Sequence, residues 1–189
     1  SAASDVYKRQ NMYDHLEVEK KWQKYWADHE TFKTDVWDFS KPKFYALDMF
    51  PYPSGVGLHA GHPEGYTATD ITSRMKRMQG YNALWQPGTD HASIATEVKI
   101  IQKLKEEGID KHDLGREKFL ERAWGWKKEY GGRIISQLKK LGSSCDWDRE
   151  RFTMDEGCNK AVTEVFCKMH EKGYIYKGSR IVNWCPVCN

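Results

Sequence analysis

The sequence has no long hydrophobic run, and this absence excludes one class of protein. No stretch approaches the roughly 18 apolar residues that a membrane-spanning helix needs, and no apolar signal-peptide core opens the chain. We therefore expect a cytoplasmic protein that does not contact a membrane.

The cysteines do not have the spacing of a disulfide framework. There are five in 189 residues, an odd number, and only Cys185 and Cys188 form a pattern. Reduced thiols in a cytoplasm fit this composition better than disulfides. The Cys-x-x-Cys pair could also supply half of a zinc site, although a complete site needs further ligands.

The sequence also lacks a large excess of charge of one sign. Lysine and arginine number 30 against 27 acidic residues, which gives a net charge of +3. This balance permits contact with nucleic acid but does not predict it. Many basic residues alternate with glutamates on predicted helices, which indicates solvated faces with i,i+4 ion pairs. The basic residues are Lys99, Lys103, Lys105, Arg133, Lys139 and Lys140, and the glutamates are Glu106, Glu107 and Glu129.

What the sequence does contain is the alternation of an α/β domain. Hydrophobic residues make up 39% of the chain, enough for one folded core. A predicted strand at 44–49 is followed by a turn rich in proline and glycine, a helix from about 59 to 80, a second strand at 83–85 and a helix from 94 to 108. This order predicts a Rossmann-type doubly wound parallel sheet with flanking helices, in which ligands bind at the carboxyl ends of the strands.

Four further elements flank this unit. The periodicity predicts helices at 16–28, 116–141 and 155–172, with kinks in the long one at Gly125, Gly131 or Gly132. Residues 181–184 are predicted to form a returning strand.

The turn after the first strand has the composition of a phosphate site. Glycines allow close approach of the backbone to a phosphate, and a helix start offers unpaired N–H groups. His59 and His62 would project from one side of that first turn and could donate to phosphate oxygens. Metal ligation by the pair is the alternative, but it needs a third ligand. A single histidine here would more often cap the helix or lie at the surface.

Residues 59–62, His-Ala-Gly-His, resemble the "HIGH" signature of class I aminoacyl-tRNA synthetases in its HxGH form. The resemblance extends over residues 11–189 and falls in the valyl/leucyl/isoleucyl group. It implies that His59 and His62 are catalytic and stabilise the phosphates of ATP, bound with Mg²⁺, while an aminoacyl-adenylate forms. The residues that it implies for ATP binding are Met49, Phe50, Pro51, Gly57, His59, Gly61 and His62.

Two parts of the chain resemble different members of this group. Residues 11–82 resemble leucyl enzymes, whereas residues 83–189 resemble valyl enzymes, including the Gly-Thr-Asp-His segment at 88–91. The change falls at residues 76–82, which suit either enzyme, so a mosaic of two related genes is one hypothesis. Valine is favoured over leucine because more of the chain carries the valyl likeness.

The resemblance also implies an amino-acid pocket. Asp90 would bind the α-ammonium group, and Phe50 and Tyr52 would line the pocket, with core packing as the alternative for the two aromatic side chains. Thr89, His91 and Ser93 follow the valyl pattern and could narrow the pocket.

The resemblance implies the following organisation and partners. Residues 1–10 are expected to be a non-native or disordered leader, 11–43 a helical extension, and 44–189 the N-terminal half of the catalytic domain, ending at the entry to the connective and editing insertion. The partners would be ATP, tRNA and valine or leucine, and the enzyme a monomer. No Lys-Met-Ser-Lys-Ser-like loop occurs in the sequence, so we expect negligible adenylate formation by this chain alone. The rival hypothesis is a non-catalytic, synthetase-like nucleotide-binding fragment.

Overall fold

The computed structural model describes residues 13–53 and 55–186, which divide into two compact units. The first unit ends at Phe152 and the second begins at Thr153. No helix among these residues is long and apolar enough to cross a membrane. The predicted leader at residues 1–10 lies outside the described residues, as does Cys188.

The centre of the first unit is a β-α-β element, which confirms the predicted α/β fold. Strand β1 (Lys43–Leu47) and strand β2 (Asn82–Gln86) pair in parallel, with Lys43 opposite Asn82 and Leu47 opposite Gln86. Helix α2 (Gly61–Met78) connects them and packs on both strands. Parallel neighbours need such a crossover because a tight turn cannot join them.

The remaining elements of this unit surround that centre. A second parallel pair joins the short strands β3 (Gly88–Thr89) and β4 (Arg151–Phe152). The helices between them are α3 (Ile94–Glu106), α4 (Lys111–Leu114), α5 (Arg116–Trp126), a π-helical segment (Lys127–Gly131), α6 (Gly132–Lys140) and a 3-10 turn (Trp147–Arg149). The predicted helix at 116–141 is therefore one run in which a π-bulge ends at Gly131, whereas Gly125 lies in regular helix.

The core forms where β1, α2, β2 and α6 meet. Trp85, Ile134 and Leu138 are fully buried there, and the Tyr66 and Trp85 rings lie 5.6 Å apart. The other buried members of the cluster are Ala46 and Cys145. Burial raises the pKa of both the Tyr66 hydroxyl and the Cys145 thiol, because an apolar environment disfavours their charged forms. Both groups are therefore neutral packing elements.

The predicted N-terminal helix is α1 (His15–Asp28), which begins where Asp14 accepts from the Leu16 and Glu17 backbone N–H groups. The chain after it is tied to the core by polar contacts. The Thr34 backbone N–H donates to the buried Asp146 carboxylate over 3.0 Å, and its hydroxyl donates to the Ala83 carbonyl oxygen over 3.0 Å. A cavity of about 380 Å³ remains between α1 and the segment that contains Asp146.

The second unit contains helix α7 (Glu156–Glu171). Its start is fixed by Asp155, which accepts from the Cys158 N–H over 2.8 Å, and the chain leaves it through Gly173 at φ +75°. The predicted strand at 181–184 is wrong, since these residues are irregular and Ile181 is fully exposed. A strand needs a neighbour for its backbone hydrogen bonds, and among the described residues none pairs with this segment.

The core predicts a sharp contrast between two leucines. Leu138→Ala removes a side chain that is fully buried, so we expect it to lower the free energy of unfolding by about 2–5 kcal/mol. Leu16→Ala, at a position that is 55% exposed, should cost far less. Urea denaturation followed by tryptophan fluorescence measures both, and equal losses would contradict this description of the core.

Candidate active site

The loops that follow β1 and β2 meet at one edge of the sheet. The β1–α2 loop comprises residues 48–60, all described except Ser54. Its Pro51 carbonyl oxygen accepts from the Asp90 backbone N–H over 2.9 Å. The Phe50 ring lies against Gly88 so closely that a Cβ on this glycine would clash with it. The structure therefore brings together Phe50, Pro51 and Asp90, which the sequence assigned to ATP and amino-acid binding.

The two predicted catalytic histidines stack on each other at the start of α2. Their ring centroids lie 3.7 Å apart at an interplanar angle of 32°. The His59 backbone N–H donates to Nδ1 of His62 over 3.2 Å, and the Gly61 N–H donates to Nδ1 of His59 over 3.2 Å. In the neutral rings the proton therefore belongs on Nε2 of each. This arrangement leaves two Nε2–H donors beside a helix N-terminus, which suits an oxyanion.

Gly61 allows the His59 ring to fold back over the start of the helix. A Cβ at Gly61 would lie 3.2 Å from Cε1 of His59, which is tighter than most side-chain contacts. The helix begins at Ala60 without a side-chain cap, so its first N–H groups are not satisfied in the usual way. The glycine of the motif is thus explained by packing against its own histidine.

The environment of His62 disfavours its charged form. Partial burial lowers the pKa of the His62 imidazole first, and the neighbouring charge of His59 lowers it further. The Asp48 carboxylate acts weakly in the opposite direction. The pair therefore acts as hydrogen-bond donors more than as two full positive charges near neutral pH.

Asp48 is a residue of this edge that the sequence analysis did not nominate. Its carboxylate accepts from the Met49 N–H over 2.8 Å and from the Thr69 hydroxyl over 3.1 Å. A Cβ on Gly65 would lie 3.7 Å from either carboxylate oxygen. Asp48 thus connects the end of β1 to the side of α2. An acidic residue directly after a strand was the available sequence signal.

Two side chains of the run from α5 to α6 hold carbonyl groups of the β1–α2 loop. Trp126 Nε1 donates to the Pro53 carbonyl oxygen over 3.0 Å, and the Arg133 guanidinium donates to the Val56 carbonyl oxygen over 3.1 Å. The sequence assigned Arg133 to a solvated face. It is exposed, but it bonds to the loop. Sequence periodicity does not reveal such partners, because they are backbone atoms of a distant segment.

A third side chain of this run, Gln137, contacts the loop closest to the histidines. Its Oε1 accepts from the Leu58 backbone N–H over 2.9 Å. The sequence predicted that Gly57 lets the backbone approach a phosphate. In the structure the space beside its Cα is occupied by the Gln137 amide, 2.5 Å from where a Cβ would be.

The other predicted site residues differ in exposure. Met49 is 84% exposed and Tyr52 is also at the surface, whereas Thr89 is buried. Asp90 lies 3.4 Å from Nδ1 of His91, between their side-chain atoms. Ser93 precedes α3 and makes no side-chain cap to it.

The metal hypotheses receive no ligand set from the structure. In the range 13–53 and 55–186, no three side chains of histidine, cysteine, aspartate or glutamate converge as metal ligands. Cys185 is exposed, and its predicted companion Cys188 is outside that range. We therefore derive no step through zinc.

Parallel strands, loops that meet at their carboxyl ends and a stacked histidine pair at a helix start define a nucleotide-binding catalytic domain of the Rossmann type. Residues 21–189 match the family of tRNA synthetases class I (I, L, M and V). The chain belongs to this family.

Relatives of known sequence and structure agree with this membership. The chain is 54% identical over 179 residues to a valine–tRNA ligase of Carboxydothermus hydrogenoformans and 50% identical over 178 residues to one of Geobacter sulfurreducens, in each case across 94% of this chain. It spans about a fifth of the length of these relatives, 20% in each. It also resembles the LeuRS chain in a crystal structure of the Agrobacterium radiobacter LeuRS-tRNA-LeuAMS ternary complex, with a TM-score of 0.75 and 27% identity over 93% of this chain and 20% of that one.

The histidine pair generates a titration prediction. Because burial and the charge of His59 both disfavour protonated His62, its pKa should lie below the ordinary value of 6.5. His59→Gln removes the neighbouring charge and should raise the pKa of His62 towards that value. Imidazole chemical shifts followed by NMR across pH 4–9 (about that range covers histidine titration) measure both. A His62 pKa at or above 6.5 in the unsubstituted chain would contradict the stacked arrangement.

Proposed function

We propose that this chain forms part of an aminoacyl-tRNA synthetase that activates valine with ATP and transfers it to tRNA. The observation that carries the proposal is the stacked pair His59 and His62 at the start of α2, with an Nε2–H donor on each ring. In such a site the valine carboxylate attacks the α-phosphorus of ATP, pyrophosphate leaves, and valyl-adenylate forms. The ester with the terminal adenosine of tRNA is made in the second step.

The histidines would stabilise the negative charge that develops on the phosphate oxygens. Donors that are already oriented act without reorganisation, and one such donor is worth about 2.7–4 kcal/mol in other enzymes. The N-terminus of α2 adds the positive end of a helix dipole. Magnesium bound with ATP would supply further neutralisation of the phosphates. The nearby loop residues proposed to contact ATP are Met49, Phe50, Pro51, Gly57 and Gly61.

Asp90 is proposed to bind the α-ammonium group of the amino acid. Its backbone is fixed by the hydrogen bond to Pro51, and its side chain is only partly buried, so a cation can reach it. Phe50, which lies against Gly88, would form one wall of the pocket, and Tyr52 another. A carboxylate suits this task because a charge-assisted bond is about twice as strong as a neutral one.

Valine is proposed in preference to leucine because the relatives at 50% identity or more quoted above are valine–tRNA ligases. These alignments are longer than segment 83–189, so the valyl likeness extends into the part that resembles leucyl enzymes. Leucine remains the second candidate, favoured by the structural likeness to LeuRS at 27% identity. The site is open at the surface, and its edges could also accept tRNA.

The test is ATP–pyrophosphate exchange by a chimeric synthetase, in which this chain replaces the matching segment of the Carboxydothermus hydrogenoformans enzyme. We expect exchange with valine, and a kcat/KM for leucine about 10- to 200-fold lower, a range known from synthetases of this group. His62→Asn in the chimeric synthetase should lower kcat with valine by about 10²–10³ because one phosphate donor is lost.

The controls are the unsubstituted Carboxydothermus enzyme and His112→Asn, a histidine on the surface of α4. Exchange with leucine alone would support the second candidate. A folded chimeric synthetase that is inactive with both amino acids would refute the proposed activity and support the non-catalytic fragment.

Asp90 has its own prediction in the same assay. Asp90→Asn removes the charge but keeps the shape, so we expect the KM for valine to rise by about 10- to 150-fold, corresponding to roughly 1.5–3 kcal/mol for a hydrogen bond to a charged group. Asp113→Asn, at an exposed position of α4, should leave this KM unchanged. An unaltered KM in Asp90→Asn would remove Asp90 from the amino-acid site.

A further inference from the structure

We propose that Gln137 is a positioning residue for the histidine pair, a role that rests on the function proposed above. Its Oε1 accepts from the Leu58 backbone N–H over 2.9 Å, one residue before His59. The next N–H along the chain, that of His59, donates to Nδ1 of His62. The amide of Gln137 is thus one hydrogen bond away from the contact that orients the second histidine.

The Gln137 amide is also confined by shape. A Cβ on Gly57 would lie 2.5 Å from Oε1 and 2.7 Å from Nε2 of Gln137, so the amide occupies the space that this glycine leaves open. A hydrogen bond made by a side chain that is already confined costs less conformational entropy than one made by a free chain. The contact with Gly57 therefore makes the bond to Leu58 more effective at fixing the loop.

The helix that carries Gln137 is itself anchored in the core. Ile134 and Leu138, which flank Gln137 on α6, are fully buried, and Leu58 packs against the same cluster. The Gln137 side chain consequently connects a rigid element to the loop. Trp126 and Arg133 hold carbonyl groups farther back in this loop, whereas Gln137 holds the N–H group nearest to the histidines.

The role of the bond is to set where the histidines stand relative to the phosphates. Loss of the acceptor would leave the Leu58 N–H without its partner and would allow the loop to shift. A displacement of about 1 Å in a catalytic group can cost roughly 10²-fold in rate. The effect should fall on kcat and spare the KM for valine, because Asp90 is fixed separately through Pro51.

The test compares two substitutions in the chimeric synthetase. Gln137→Met keeps the length and packing of the side chain but removes the acceptor, whereas Gln137→Glu keeps an acceptor oxygen. We expect Gln137→Met to lower kcat for valine-dependent pyrophosphate exchange by about 10- to 10²-fold, with the KM for valine within about twofold. Gln137→Glu should retain most of the activity. Gln102→Met, the same substitution at an exposed position of α3, is the matched control.

A second readout needs no activity and so separates this inference from the proposed function. Hydrogen–deuterium exchange should be faster in peptides that cover residues 55–62 of Gln137→Met than in the parent, with no change over residues 82–89. Unchanged kcat and unchanged exchange in Gln137→Met would overturn the inference. So would equal losses in Gln137→Met and Gln137→Glu, because the acceptor would then not be what matters. An inactive parent chimera that still shows the exchange difference would refute only the synthetase activity.

Discussion

The parallel pairing of β1 with β2 is the constraint on which the candidate site depends. Two parallel strands cannot be joined by a tight turn, so the chain must leave β1 at one edge and return through α2 to the start of β2. The loop after β1 and the loop after β2 then emerge at the same edge. Their contact, from the Pro51 carbonyl oxygen to the Asp90 N–H, is a direct consequence of this topology. Residues far apart in the sequence meet there because the strands run the same way.

The histidine pair shows how backbone groups assign chemical roles to side chains. Each Nδ1 accepts from a backbone N–H at the start of α2, and this fixes the proton of the neutral ring on Nε2. Stacking of two imidazoles discourages a second positive charge, which lowers the pKa of His62. A phosphate would therefore meet two oriented donors together with a helix N-terminus. The short segment His-Ala-Gly-His contains all of these features, since Gly61 provides the space in which the His59 ring folds back.

Much of the fold could be predicted because its determinants are local. Caps at Asp14 and Asp155, the glycine at 173 and the apolar periods between them predicted α1 and α7 to within a residue or two. The strand at 181–184 failed because an apolar run alone does not supply a pairing partner. The predicted site residues at 50, 51 and 90 do come together, whereas Asp48 and Gln137 were missed. Both act through hydrogen bonds to groups distant in sequence, and no spacing rule encodes those.

The long helical run from α5 to α6 couples the stability of the first unit to the geometry of the loop. Its buried face carries Ile134 and Leu138, and the residues that precede each of these, Arg133 and Gln137, contact the β1–α2 loop. Adjacent positions on a helix differ by about 100° in direction, so one rotation of α6 would move both sets of contacts at once. A change in the core beneath Leu138 is therefore transmitted to the peptide at Leu58. Since close-packed interiors shift as units and do not deform locally, the positions of His59 and His62 depend on the packing of a helix that need not touch a substrate.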